Sequence, residues 1–154
     1  MARIKNESRT RTAKFESLEL MARSMGETND CSVKAVALAC NVRYEDAHRA
    51  LARQGRKNRR GSSTSAILRA IKSLGFTAHW IPDQHFINQY PKSHQILKGC
   101  TTHHPERFNK VWADGETYVM FTSCHVLTIV DGVNHDWTKG RAKRSQGIYQ
   151  VRAA

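Results

Sequence analysis

The chain reads as an α+β domain in which helices come first and an antiparallel sheet follows. Three observations carry that reading. Apolar residues recur at helical spacing in successive segments that end before Gly75. From Phe76 onward, short runs rich in β-branched and aromatic residues take over. Between two of those runs sits Asp131-Gly132, the pair that a two-residue hairpin turn favours. Helices grouped before strands, rather than alternating with them, point to α+β architecture. At 154 residues the chain suits one domain with a core of its own.

The elements follow in order. Residues 1–14 hold five basic side chains and one acid, Glu7, and are read as a basic N-terminal arm, with 15–154 as a single domain. Phe15 to Ala22 places apolar residues for a short helix or an extended segment on the core. Asp30 is a good N-cap that puts Cys31 at the first helical position, with Val33, Val36, Ala37 and Cys40 as the apolar face and Asn41 as the end. A second helix spans Tyr44 to Arg53 and stops at Gly55. Ser62 or Ser63 caps a third, in which Ile67, Leu68, Ile71 and Leu74 form a stripe closed by Gly75. Phe76 to Ile81 alternates as a strand and ends at Pro82. Between Asp83 and Trp112 the chain is rich in His, Asn, Gln and Lys, with helical turns expected near Ile96-Leu97 and over Pro105 to Phe108. Strands are expected at Thr117 to Phe121, His125 to Val130, Val133 to Trp137 and Ile148 to Val151.

Two segments carry the chemistry. Asn29-Asp30-Cys31-Ser32-Val33-Lys34-Ala35 opens a helix on a cysteine, where unpaired N–H groups and the macrodipole favour a thiolate. Far downstream, His125 starts the run His125-Val126-Leu127-Thr128-Ile129-Val130, which turns at Asp131-Gly132 toward Asn134 and Asp136. In a tight hairpin Asp136 falls roughly opposite Leu127, within reach of His125, so Asn134 or Asp136 could orient the imidazole. Cysteine, histidine and a polar orienting group form the usual nucleophile assembly.

These segments, about an eighth of the chain, resemble the papain-like cysteine peptidase superfold, in particular its small bacteriophage-type and peptidase-C39-like members. The resemblance implies a papain-like fold with Cys31 as nucleophile, His125 as base and Asp136 as the orienting residue. Met25 stands where such proteins often carry a glutamine, which leaves the Cys31 backbone N–H and the Asn29 amide as oxyanion donors. The implied function is cysteine-dependent acyl transfer of peptidase or deamidase type, in a phage-encoded protein directed at a host protein. No cofactor is implied.

Two other readings stand beside it. The formal net charge of +12 favours association with anionic partners. Residues 37–51 have helix-turn-helix spacing, and five basic residues follow among the eight from Arg53 to Arg60. Arg53, Arg56, Lys57, Arg59 and Arg60 would then contact phosphates of a nucleic acid. Alternatively the scaffold is catalytically inactive and binds or inhibits a host partner. A zinc set of Cys100, His103, His104, Cys124 and His125 fits poorly, because adjacent strand residues such as Cys124 and His125 point to opposite faces. No run approaches the roughly 18 apolar residues a membrane span needs. With no export signal expected, the chain is placed in the cytoplasm with its cysteines as thiols.

Overall fold

The computed structural model describes residues 10–82, 95–97, 100–103, 114–139 and 143–154. Four helices pack on a five-stranded antiparallel sheet, the α+β arrangement expected. The helices are α1 (Ala13–Ser24), α2 (Cys31–Ala39), α3 (Tyr44–Arg53) and α4 (Thr64–Ser73). The strands are β1 (Phe76–Ile81), β2 (Gln95–Leu97), β3 (Cys100–His103), β4 (Thr117–Phe121), β5 (Val126–Val130), β6 (Val133–Asn134), β7 (Lys143–Ser145) and β8 (Gly147–Ala153). The main sheet runs β1-β8-β4-β5-β6, and a smaller one runs β2-β3-β7.

Local chemistry sets the helix starts. The Thr12 hydroxyl accepts from the Phe15 N–H, so α1 begins at Ala13 and takes Ala13 and Lys14 from the expected arm. The Ser63 hydroxyl accepts from the Ala66 N–H at 3.2 Å and starts α4. Asp30 is the N-cap residue of α2, yet its side chain makes no capping bond. It turns away to Lys34 Nζ at 3.1 Å and to the Tyr44 hydroxyl at 2.8 Å. A charged partner and a buried phenol outcompete the first-turn amides for this carboxylate.

Helix α2 is nearly enclosed. Val33, Val36, Ala37 and Cys40 are buried as their spacing predicts, and Ser32, Lys34, Ala35 and Ala39 are buried too. Its alanines let the helix lie close on β5. There the Thr128 hydroxyl donates to the Ala35 carbonyl at 2.8 Å, a buried bond that ties helix to strand. Strand alternation divides the sheet. Val119, Phe121, Val126 and Val151 join the helix-side core, while Tyr118, Met120, Leu127, Ile129 and Ile148 form a second buried cluster. Both faces are therefore covered, unlike many antiparallel sheets.

The Asp131-Gly132 turn forms as expected, with φ of 46° and 79°, the left-handed pair of a type I′ hairpin. It sets Val130 opposite Val133 and Ile129 opposite Asn134. The second strand is shorter than expected, because residues 136–139 form a turn rather than continuing to Trp137. Ile96-Leu97 is also corrected: the backbone there is a strand paired with Cys100-Thr101, not a helical turn. The turn expected over Pro105 to Phe108 lies outside the described residues.

Thr128→Val keeps the shape of the side chain but removes the bond to Ala35. Urea unfolding should show a loss of about 1 kcal/mol, the net worth of one buried hydrogen bond. No loss would mean that apolar packing alone holds α2 against β5.

Candidate active site

Cys31, His125 and Asp136 meet in one pocket of about 240 Å³, lined also by Asn29, Asp30, Lys34, Cys124 and Trp137. That volume lies below the range of drug-sized ligand sites and suits a single side chain or acyl group. Each residue arrives by a separate device. Cys31 opens α2. His125 sits just before β5, with its carbonyl held by the Thr122 N–H at 2.8 Å and the Thr122 hydroxyl at 3.0 Å. Asp136 comes from the turn after β6. Its Oδ2 accepts from Thr138 N at 3.1 Å and from the Thr138 hydroxyl at 2.7 Å.

The third partner of Asp136 is the imidazole. His125 Nε2 lies 2.7 Å from Asp136 Oδ2. That contact leaves Nδ1 as the ring nitrogen for the Cys31 sulfur, which lines the same pocket. Trp137 packs near the ring, with centroids 5.5 Å apart. Of the two orienting groups left open by sequence, the structure brings Asp136 to the histidine. Asn134 is buried in β6, with its amide 3.4 Å from the Thr138 hydroxyl.

The charges follow from these contacts. Burial works to raise the Cys31 thiol, but the His125 hydrogen bond, a bond from the Val126 backbone N–H and the imidazolium charge outweigh it. The net shift is downward from 9.0. Burial alone would lower His125; bonds to Asp136 and Cys31 reverse that and push it up to about 9. For Asp136, burial opposes ionisation, yet the His125 and Thr138 bonds keep the carboxyl below its usual value. Both shifts therefore lean toward the thiolate–imidazolium pair relative to a free thiol and a free imidazole. Cys40 is the contrast: burial without a partner pushes it up to about 12.

Sequence reasoning missed the support beneath this site. Glu27 is buried and accepts from the Arg59 N–H at 3.0 Å. Its Oε2 lies 2.6 Å from Arg56 Nη2, where the two side chains are 2% and 1% exposed. The contact is close charge more than aligned hydrogen bonding. His48 Nε2 stands 3.5 Å from the same oxygen. Lys34 also went unread; it bridges Asp30 and Glu19 from one turn beyond Cys31. A single acid between Gly26 and Thr28 gives no periodic signal, whereas Thr138 two residues after Asp136 matches a known turn pattern.

The oxyanion donors expected from sequence fare differently. With Asp30 turned away, its carboxylate does not compete for the first-turn N–H groups of α2, Cys31 among them. Asn29 lines the pocket in a left-handed conformation (φ 50°), and one of its amide hydrogens goes to the Arg59 carbonyl at 3.2 Å. The second hydrogen remains for the pocket.

The residues read as phosphate contacts separate. Arg53, Lys57, Arg59 and Arg60 are exposed, whereas Arg56 is buried against Glu27 and presents nothing to a phosphate. The helix-turn-helix spacing also serves packing, since Ala37, Ala47 and Leu51 are core and His48 faces Glu27. Of the zinc set, the side chains of Cys100, His103 and His104 lie outside the described residues, and His125 is engaged by Asp136. Comparison with protein-family models, curated proteins and solved structures finds no match to this chain.

Two outcomes test the electrostatics. The rate of Cys31 alkylation by iodoacetamide should rise with pH along a limb lying below 9.0 and then stay level. His125→Ala should move that limb upward, since burial remains and the cation is gone. An unmoved limb would dissociate His125 from the thiol. Glu27→Ala strands Arg56 in the interior and should cost about 3–5 kcal/mol in chemical unfolding, a large part of a domain's whole stability.

Proposed function

We propose that the chain is a cysteine-dependent acyl-transfer enzyme of papain-like type, acting as a peptidase or deamidase. The observation that carries this is the convergence of Cys31 and His125, from segments far apart in sequence, with Asp136 2.7 Å behind the imidazole. The cysteine at the start of a helix lying on the histidine strand supports the papain-like comparison.

The residues take the following roles. The Cys31 thiolate attacks the substrate carbonyl carbon, forming a C–S bond and moving the π electrons to oxygen. Backbone N–H groups of the first turn of α2 and the Asn29 amide stabilise that oxyanion. The tetrahedral species collapses, and the leaving amine takes the proton from His125. Water then attacks the thioester, giving its proton back to His125 while the thiolate departs. Asp136 holds the ring in place and stabilises the imidazolium, without itself accepting a proton.

The test is acyl turnover on p-nitrophenyl acetate. A burst of p-nitrophenol with acetyl on Cys31, followed by steady release, is the expected result. Cys31→Ala should abolish it, and His125→Ala or Asp136→Ala should slow acylation by roughly 10²–10⁴. The burst should slow in acid, where the Cys31 thiolate is protonated, and the steady release should need the neutral His125 ring as base. The reading is falsified if Cys31 acetylates no faster than the exposed Cys124, or if His125→Ala leaves the rate unchanged.

A further inference from the structure

We infer that Lys57, Arg59 and Arg60 form a cationic rim to the Cys31 pocket and that the substrate is a polypeptide carrying carboxylates beside its reacting acyl group. This rests on the acyl-transfer reading above.

The rim is fixed to the cysteine loop at several points. The Arg59 N–H bonds Glu27 at 3.0 Å, Arg59 Nε bonds the Gly26 carbonyl at 3.1 Å, and the Arg59 carbonyl accepts from Asn29 at 3.2 Å. Past the loop, the Ser62 hydroxyl meets the Ser32 hydroxyl at 3.2 Å, one residue from Cys31. Arg59 itself is held at φ 63°, a left-handed conformation that an arginine adopts only when its surroundings impose it. Asn29 is shared: it lines the pocket and holds the loop. The loop is therefore held against Asn29, one of the residues that line the pocket.

Charge at this edge is unbalanced in one direction. The acids nearby already have partners: Glu27 has Arg56, Asp30 has Lys34 and Tyr44, and Asp136 has His125. Lys57, Arg59 and Arg60 are exposed, and none pairs with a carboxylate among the described residues. The bond from Arg59 Nε leaves the outer nitrogens of its planar fork for an anion, the geometry that receives a carboxylate side by side. The net charge of +12 adds attraction at longer range. A nucleic acid would satisfy the cations but offers a phosphodiester where the pocket chemistry needs an acyl carbon. An acidic stretch of polypeptide satisfies both.

The test compares two alkylating agents on the full chain, iodoacetate and iodoacetamide, read at Cys31 by peptide mapping. Their rate ratio cancels the intrinsic nucleophilicity of the sulfur and reports the local potential. The ratio should exceed that of a free thiol by about two- to threefold for each nearby cation at low salt, and should fall as salt screens them. K57Q/R60Q should lower the ratio, as should R59Q with its bond to Gly26 removed. An octaglutamate peptide should slow iodoacetamide labelling of Cys31 in the parent chain and lose that effect in K57Q/R60Q. A ratio equal to that of a free thiol and indifferent to salt overturns the rim while leaving the nucleophile intact. Slow iodoacetamide labelling of Cys31, level with Cys40, instead removes the acyl-transfer reading. Duplex DNA protecting as well as octaglutamate at equal charge overturns the choice of an acidic polypeptide.

Discussion

The rest of the structure depends on the close seating of α2 along β5. Cys31 and His125 belong to segments with no local reason to meet, and this contact decides whether they do. Small side chains on α2 let helix and strand approach, and the Thr128 hydroxyl on the Ala35 carbonyl sets their axial register. From Ala35 back to Cys31 is about 6 Å of helix, and from Thr128 back to His125 about 10 Å of strand. Both paths lead to the same end of the layer pair. A slip of one helical turn, about 5.4 Å, would separate sulfur from imidazole by more than a hydrogen bond can span. The core thus has a second task beyond stability, since it sets a reacting distance.

A second constraint is the number of buried acids around one cysteine. Glu27, Asp30 and Asp136 are all nearly inaccessible, and each sits against its own cation. Buried pairs of this kind add little net stability compared with apolar packing, because desolvation consumes the attraction. What they give here is direction. Lys34 and Tyr44 draw Asp30 off the helix start, which keeps a negative charge away from the first-turn amides. Glu27 holds the backbone of Arg59 and anchors Arg56, so the loop beside the pocket has one arrangement. Thr138 fixes Asp136 so that one oxygen meets the ring.

How much of this was legible in the sequence depends on how local each signal is. Cys31 at a helix start could be read because capping is a short-range rule, and Asp30-Cys31 obeys it in backbone terms. The reach of Asp136 to His125 was legible because Asp131-Gly132 admits one tight turn and therefore one register. The end of β6 was not, since the Asp136–Thr138 turn competes with strand extension and the sequence pattern of Val133 to Trp137 suits either. Ile96-Leu97 misled for the same reason: two apolar residues have no period. Arg56 could not be told from its neighbours, because a run of basic residues looks uniformly solvated. Only the buried Glu27, about thirty residues away, turns this one inward. The papain-like comparison itself rests on two segments, and the fold around them is the coarser α+β statement that the structure supports.

The proton between Cys31 and His125 brings these constraints to one atom. Burial by itself would leave both groups neutral, for it raises the thiol and lowers the imidazole. The mutual hydrogen bond pulls the other way, lowering the thiol and raising the imidazole, and it does not act alone. Asp136 breaks the tie. Burial opposes its charge, but the His125 bond and charge, and after them the two Thr138 donors, keep its carboxyl low, and that charge in turn favours the imidazolium. The ring and the Val126 N–H then lower the thiol, against burial and against the Asp136 charge itself, which raises it. A short turn of Asp136, Trp137 and Thr138 therefore acts on a sulfur carried by a different layer of the fold only by way of the imidazole it charges. The seating of α2 on β5 brings the two close enough for that control to act.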